Sequence, residues 1–419
     1  MQARAMQAGN FHISDKPEQR ELSILQLIHA GSNYSRLDLA RRTGLSPSGI
    51  TAIVRSLMVK KLVTEDQPVS ALVGRRPIPL RIRDDAGYLL GVDIGSYYTR
   101  VVITDINGRI IRKDQIETRI PDGRVAVLQR VFKCVHGTLE ASRVPRDKIL
   151  GAGIAHSGVI DAEKGMVISF PRPGQMAEWK NVPLRNLFED EFKVPCMLED
   201  SVRTMAIAER CFGLGRDVDD FLFIEVGMGI GAAIFVDGKL YRGAGGKAGE
   251  FGHITAHENG PLCSCGNTGC LESVASCASI IQSVRVAVER GVDSKVRDLA
   301  GGDLSQITVE KIAQAAKEND GLAFRVLQEA ASYIAMGLAD LVNVLNPRLV
   351  IFGGALFGAA PELVSDPLKR LIRQRSLEKS ADDAELRVSP LGAESGALGA
   401  SRMIAGQGLK SLYTHSLGH

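Results

Sequence analysis

Residues 249–272 read GEFGHITAHENGPLCSCGNTGCLE, which brings three thiols, two imidazoles and flanking carboxylates into one loop. Three sulfurs and one nitrogen suit a closed tetrahedral zinc site, and a site with no open position is structural rather than catalytic. Cys263, Cys265 and Cys270 supply the sulfurs, and His253 or His257 supplies the nitrogen. The plainer alternative is a set of free thiols. Seven cysteines are an odd number, and three crowded into eight positions fit a metal better than a disulfide framework. Cys134, Cys196, Cys211 and Cys277 read as small core residues. A metal that pins this loop would also fix Glu250, His253 and Glu272 around one small volume. Carboxylates and an imidazole exchange hydrogen bonds with adjacent hydroxyls, which is what a pyranose presents. Otherwise the glutamates simply pair with surface Lys or Arg.

The rest of the chain must position that loop. With 419 residues, 45% hydrophobic and 24% charged, it is long enough for two or three cores and reads as a soluble multidomain protein. It holds no apolar run of signal-peptide or membrane-spanning length, so a cytoplasmic protein with no membrane partner is expected. Residues 1–85 carry thirteen Lys and Arg against eight Asp and Glu, so the net charge of +3 lies at the front.

That basic front has a pattern. ELSILQLIHA repeats apolar residues at helical spacing, and SRLDLARRTG gives a short second helix that ends at Gly44. SPSGITAIVRSLMVKKLV then opens with Ser46 as N-cap and Pro47 in the first turn. Ile50, Val54, Leu57 and Met58 fall on the inner face, which turns Ser48, Gly49, Thr51 and Arg55 toward solvent or a DNA groove. LVTEDQPVSALVGRRPIPLRI follows as two strands around a turn, with Arg75 and Arg76 near the tip. The order spells a winged helix-turn-helix that binds double-stranded operator DNA. The alternative is a small helical interaction domain with solvated arginines.

From Tyr88 the pattern becomes strand and glycine turn. YLLGVDIGSYYTRVVITDINGRII and FLFIEVGMGIGAAIFVDGKLYRG share one plan, which predicts a duplicated α/β body with a ligand cleft between its halves.

With these motifs in order, the chain resembles the ROK family of repressors and sugar kinases over nearly its whole length. GEFGH and CSCGNTGCLE carry the resemblance most specifically, supported by GVDIG, GAGIAHSGVID, EWKNVPL, GMGIGAAIFVDGKL and NPRLVIFGGAL. The resemblance implies an N-terminal winged helix-turn-helix followed by an actin-like (ribonuclease H-like, duplicated) two-lobed sugar kinase fold. It selects His253 over His257 as the zinc ligand, and it implies sugar contacts at Glu250, His253 and Glu272. Domains are expected at residues 1–84 (winged helix), 85–205 (first lobe, with 385–419 packing back on it) and 206–384 (second lobe, with the zinc loop and an oligomerisation surface).

The family's kinases open a helix with an Asn-Asp pair whose aspartate is the base. In CMLEDSVRTMAIAER, gapless alignment through Ala206–Glu209 puts Asp200 at the asparagine and Ser201 at the aspartate. Serine is no base near pH 7, whereas Asp200 can still hold a sugar hydroxyl. Ser96 and Tyr97 stand where the kinases carry glycine and threonine, and Met228 replaces a threonine. The expectation is a sugar-responsive repressor with a catalytically degenerate kinase body, structural Zn2+, a small sugar or sugar-derivative effector, and a homodimer or homotetramer. An active sugar kinase carrying a DNA-binding domain is the alternative, and a regulator with a vestigial pocket is a third.

Overall fold

The computed structural model describes residues 16–31, 34–66, 78–170 and 178–417. It opens with three helices, α1 (Pro17–Ala30), α2 (Arg36–Thr43) and α3 (Pro47–Val59). Their ends have local causes. Ser35 and Asp38 form a reciprocal capping box on α2, and Ser46 Oγ accepts the Gly49 N–H at 3.1 Å at the start of α3. Gly44 closes α2 at φ 69°, a left-handed turn that redirects the chain into α3. Strands β1 (Val63–Glu65) and β2 (Leu80–Ile82) pair antiparallel, Val63 opposite Ile82. Residues 67–77, with Arg75 and Arg76, lie outside the described residues.

The body holds two five-stranded sheets of the same plan. In the first, β3 (Tyr88–Ile94), β4 (Tyr98–Asp105) and β5 (Ile110–Glu117) form an antiparallel meander. On the other side of β3 lie two parallel strands, β6 (Ile149–His156) and β9 (Cys196–Asp200). Parallel neighbours need long crossovers. Here α4 (Arg124–Ser142) leads into β6, while a small ribbon, β7 (Val159–Asp161) with β8 (Met166–Ser169), and α5 (Leu184–Phe192) lead into β9. After α6 (Ser201–Phe212) the plan recurs. Strands β10 (Phe221–Val226), β11 (Ile230–Val236) and β12 (Lys239–Tyr241) form a meander, and β13 (Leu349–Gly353) and β14 (Glu385–Val388) run parallel beside β10. The fold is the expected winged helix-turn-helix followed by a duplicated α/β body.

The last helix, Ser395–His415, joins the two parts. Its small residues let its backbone lie directly on the first sheet. A Cβ added to Gly91 of β3 would stand 2.0 Å from the Ala397 carbonyl oxygen, and one added to Gly153 of β6 would stand 1.8 Å from that of Ala400. Beyond the sheet, Ile404, Ala405, Leu409 and Tyr413 enter one core with Ile24, Leu25, Ile28 and Leu57 of the helix-turn-helix. Tyr413 Oη donates to Glu21 at 2.9 Å, and Lys60 pairs with the same carboxylate. No helix among the described residues is long and apolar enough to cross a membrane.

His29 sits in this seam. Its Nε2 lies 2.8 Å from the Ile106 carbonyl oxygen, and Arg402 Nη1 lies 2.7 Å from Nε2 and 2.8 Å from Nδ1. Burial, then the Arg402 charge, pushes its pKa down to about 4. The ring is therefore neutral when folded but titrates near 6.5 when unfolded. Its contribution is complete above pH ~6.5 and is lost as pH falls toward 4, at about 1.4 kcal/mol per pH unit and about 3 kcal/mol in all. Melting temperatures between pH 7.5 and 4.5 should fall less steeply in His29→Gln than in the natural chain; equal slopes would remove His29 as the cause.

Candidate functional site

The strands of both sheets end at a cleft of about 960 Å³. Ligands of α/β sheets gather outside the carboxyl ends of parallel strands, and that is where this cleft lies. Gly95–Tyr97 follow β3, Asp200 stands where β9 enters α6, Gly227–Gly229 join β10 to β11, and Gly353–Gly354 end β13; all line it. Asp93, at the end of β3, is buried and accepts the Ser201 hydroxyl at 2.7 Å. Burial raises the Asp93 pKa.

All four sugar-site residues expected from the sequence face this cleft: Asp200, Glu250, His253 and Glu272. Asp200 uses Oδ1 to cap α6, accepting from Val202 N at 2.9 Å and Arg203 N at 3.1 Å. Burial pushes its pKa up to about 7, against the pull of the Arg203 N–H and charge. Glu272 Oε2 accepts the Ile230 N–H at 3.0 Å, which ties the carboxylate to the start of β11. Glu250 Oε2 stands 3.9 Å from His253 Nε2. One face of the imidazole therefore looks to the cleft while Nδ1 looks to the cysteines.

His253, Cys263, Cys265 and Cys270 each offer a ligand atom, and those atoms lie within 4.8 Å of one another. His253 Nδ1 is 3.7 Å from Cys263 Sγ, and Cys265 Sγ is 3.6 Å from Cys270 Sγ. Metal–sulfur bonds of about 2.3 Å in a tetrahedron give edges of about 3.8 Å, so one nitrogen and three sulfurs at these spacings fit a tetrahedral ion. All seven cysteines are free thiols. His257 stays outside the group, its ring against Tyr333 at 6.0 Å. Of the four cysteines read as core residues, Cys196 and Cys277 are buried and Cys134 and Cys211 half-buried.

An ion network around the buried Glu199 supports the Glu250 side of the loop, and little in the sequence pointed to it. Glu199 is held by Arg203 at 3.3 Å and by Arg242 at 2.7 Å. Arg203 also donates to the carbonyls of Gly246 and Ala248 at 2.8 and 2.9 Å. The segment just before Glu250 is thus fastened to α6. Only the Glu199–Arg203 spacing of four was visible in the sequence; Arg242 arrives from a remote turn. Glu225, an acidic strand residue just before the glycine-rich turn at Gly227–Gly229, also lines the cleft.

On α3, Ser48, Thr51 and Arg55 are exposed along one face, while Ile50, Val54 and Leu57 are buried. Ser46 and half-buried Gly49 are engaged in the cap, and the Thr51 hydroxyl donates back to the Pro47 carbonyl at 2.8 Å.

Residues 89–407 match the ROK family, and residues 18–64 match a winged helix-turn-helix DNA-binding domain. The chain belongs to the ROK family. The xylose repressor of Caldicellulosiruptor bescii is 31% identical to it, with 92% of this chain and 94% of that protein aligned. The crystal structure of a ROK family transcriptional regulator, a homologue of the E. coli MLC protein, superposes with a TM-score of 0.76 at 26% identity, covering 96% of this chain and 98% of that one. A ROK family glucokinase from Streptomyces griseus, in complex with glucose and AMPPNP, superposes with a TM-score of 0.66 at 28% identity. That match covers 99% of the glucokinase but 76% of this chain, leaving a share comparable to the winged-helix segment. This ROK protein is built as a regulator with a kinase-like body.

Proposed function

We propose that this ROK protein is a cytoplasmic, sugar-responsive transcriptional repressor whose effector occupies the cleft between the lobes and alters the affinity of α3 and the β1–β2 hairpin for operator DNA. The observation that carries the reading is the convergence of Asp200, Glu250, His253 and Glu272 on one cleft, in a chain whose last helix runs from that body into the helix-turn-helix core. Two carboxylates, the free oxygen of a third and an imidazole are a donor and acceptor set for adjacent hydroxyls. The names of the relatives agree in kind, since one is a xylose repressor and another protein of this fold binds glucose.

The donor set favours zinc. His253 Nδ1 and the Sγ atoms of Cys263, Cys265 and Cys270 would hold it, and its contribution is structural because four protein ligands leave no open position. The loop's own residues do the rest: His253 keeps Nε2 for the cleft beside Glu250, and Glu272 is fixed on the Ile230 amide. Ser201 stands where a kinase of this family carries its base, and its hydroxyl is committed to Asp93. We further propose the domain division at 1–84, 85–205 with 385–419, and 206–384, and a homodimer or homotetramer suited to a palindromic operator. One observation favours a kinase instead: Asp200, with its pKa raised to about 7, is poised as a base in the same cleft.

Operator binding by fluorescence anisotropy, with and without a panel of D-xylose, D-glucose and N-acetylglucosamine, tests the reading. Replacing Arg75 and Arg76 by alanine should weaken binding and flatten its salt dependence, because each phosphate contact adds about −0.9 to the log–log slope. Changes at Ser48 or Thr51 should alter sequence preference instead. Unchanged binding in both sets removes α3 and the hairpin as the DNA surface.

A further inference from the structure

Glu225 lines the cleft but belongs to neither the sugar set nor the zinc loop. Glu225 lies near the end of β10, and its partners on both neighbouring strands are glycines, Gly231 on β11 and Gly353 on β13. A Cβ added to Gly227 would stand 2.2 Å from Glu225 Oε1, and one added to Gly354 would stand 2.8 Å from the same oxygen. The Gly227 amide itself donates to the Gly229 carbonyl at 2.9 Å, which closes the turn beside that carboxyl. One carboxyl oxygen therefore fills the space that two glycine turns leave open.

Glycine turns that bring backbone amides close together make a cradle for a phosphate. A protein of this fold binds a nucleotide, since the glucokinase complex holds AMPPNP together with glucose. In this chain the cradle is already occupied by an oxygen anion or acid of its own. The neighbouring charges that act on Glu225, those of Asp93, Asp200 and Glu272, are all negative. Burial and these neighbours push its pKa up to about 8, so the carboxyl is mostly neutral at pH 7 and rests there without a counter-ion. A phosphate entering would meet a filled volume and then a set of like charges a few ångströms away.

We infer that Glu225 is an intramolecular plug of the phosphate cradle, which restricts the cleft to sugars without phosphate and excludes nucleotides. The inference rests on the sugar-sensor reading for the identity of what remains, but its own content, exclusion of phosphate by Glu225, is measured separately. A sugar bearing a phosphate falls under the same exclusion as ATP.

Isothermal titration of the full chain with Mg-AMPPNP, and separately with D-xylose, D-glucose and N-acetylglucosamine, reads both. The natural chain should show no Mg-AMPPNP binding. Glu225→Thr and Glu225→Ala, with melting temperatures checked beforehand, should gain at least about tenfold in affinity for it, and Glu225→Gln should stay closed because the amide fills the same volume. Folded Thr and Ala variants with no gain overturn the plug, as does a Gln variant that gains as much as Thr. A natural chain that binds Mg-AMPPNP overturns it whatever the variants do. Failure of every sugar to bind would count against the sensor reading alone, because the nucleotide arm does not depend on it.

Discussion

No ADP above background is expected when the protein is given ATP, Mg2+ and a panel of pentoses and hexoses, and Ser201→Asp alone should not change that. Loss of a general base removes a factor of ~10²–10⁴. The structure adds reasons why one substitution is not enough. Ser201 is buried and points at Asp93, so a carboxylate in its place would stand beside another carboxyl that burial already disfavours as an anion. Asp200 spends one oxygen on the α6 cap. In the glycine turns after β3 and β10, Tyr97 and Met228 line the same cleft as Glu225. Coupled-enzyme detection of ADP checks the expectation, and a turnover on the scale of ~1–100 s⁻¹ common to kinases would overturn the receptor reading.

Much of this was legible because local rules governed it. The cap at Ser46, the stop at Gly44 and the strand–glycine–strand repeats are all settled within a few residues, and they formed where short-range patterns put them. The cluster of His253, Cys263, Cys265 and Cys270 was legible for a similar reason: donor types at short spacing limit the geometry whatever surrounds them. What stayed hidden depends on parts of the chain that meet only after folding. The seam that merges Ile24 and Leu57 with Leu409 and Tyr413 joins opposite ends of the sequence. Glu199 gains Arg242 from the turn that follows β12. Glu225 looked like an ordinary strand residue because its meaning comes from two glycine turns, and one of them, at Gly354, lies on a strand far along the chain. Arg75 and Arg76 fall outside the described residues, so their role still rests on their position in the hairpin sequence.

Cys263→Ser or Cys265→Ser should abolish stoichiometric zinc and, with it, sugar binding, while operator binding persists. The loop's own contacts explain why so much should hang on two sulfurs. Most of its backbone hydrogen bonds, such as Ala256 N to the Gly269 carbonyl and Cys263 N to the Asn267 carbonyl, each 2.8 Å, join loop residues to one another rather than to the rest of the lobe. Leu262 at its tip is 76% exposed, so apolar burial does little to fix that end. His253 is shared between the sulfur cluster and the cleft, and a loop released at the sulfurs lets Nε2 drift from Glu250. The helix-turn-helix core, by contrast, is built from α1, α2, α3, β1, β2, the first sheet and the last helix, and none of these contains a zinc-loop residue. Response to sugar should therefore vanish before DNA binding does. Glu250→Gln should be milder: zinc kept, sugar affinity reduced by the ~1.5–3 kcal/mol of a hydrogen bond to a charged group, which is about tenfold or more. Metal analysis, a sugar titration and operator anisotropy on the three variants separate the cases. Cysteine variants that keep full zinc would refute the ligand set. Variants that lose zinc yet bind sugar unchanged would make the loop a clasp only, and would move the sensing role to Asp200 and the cleft floor.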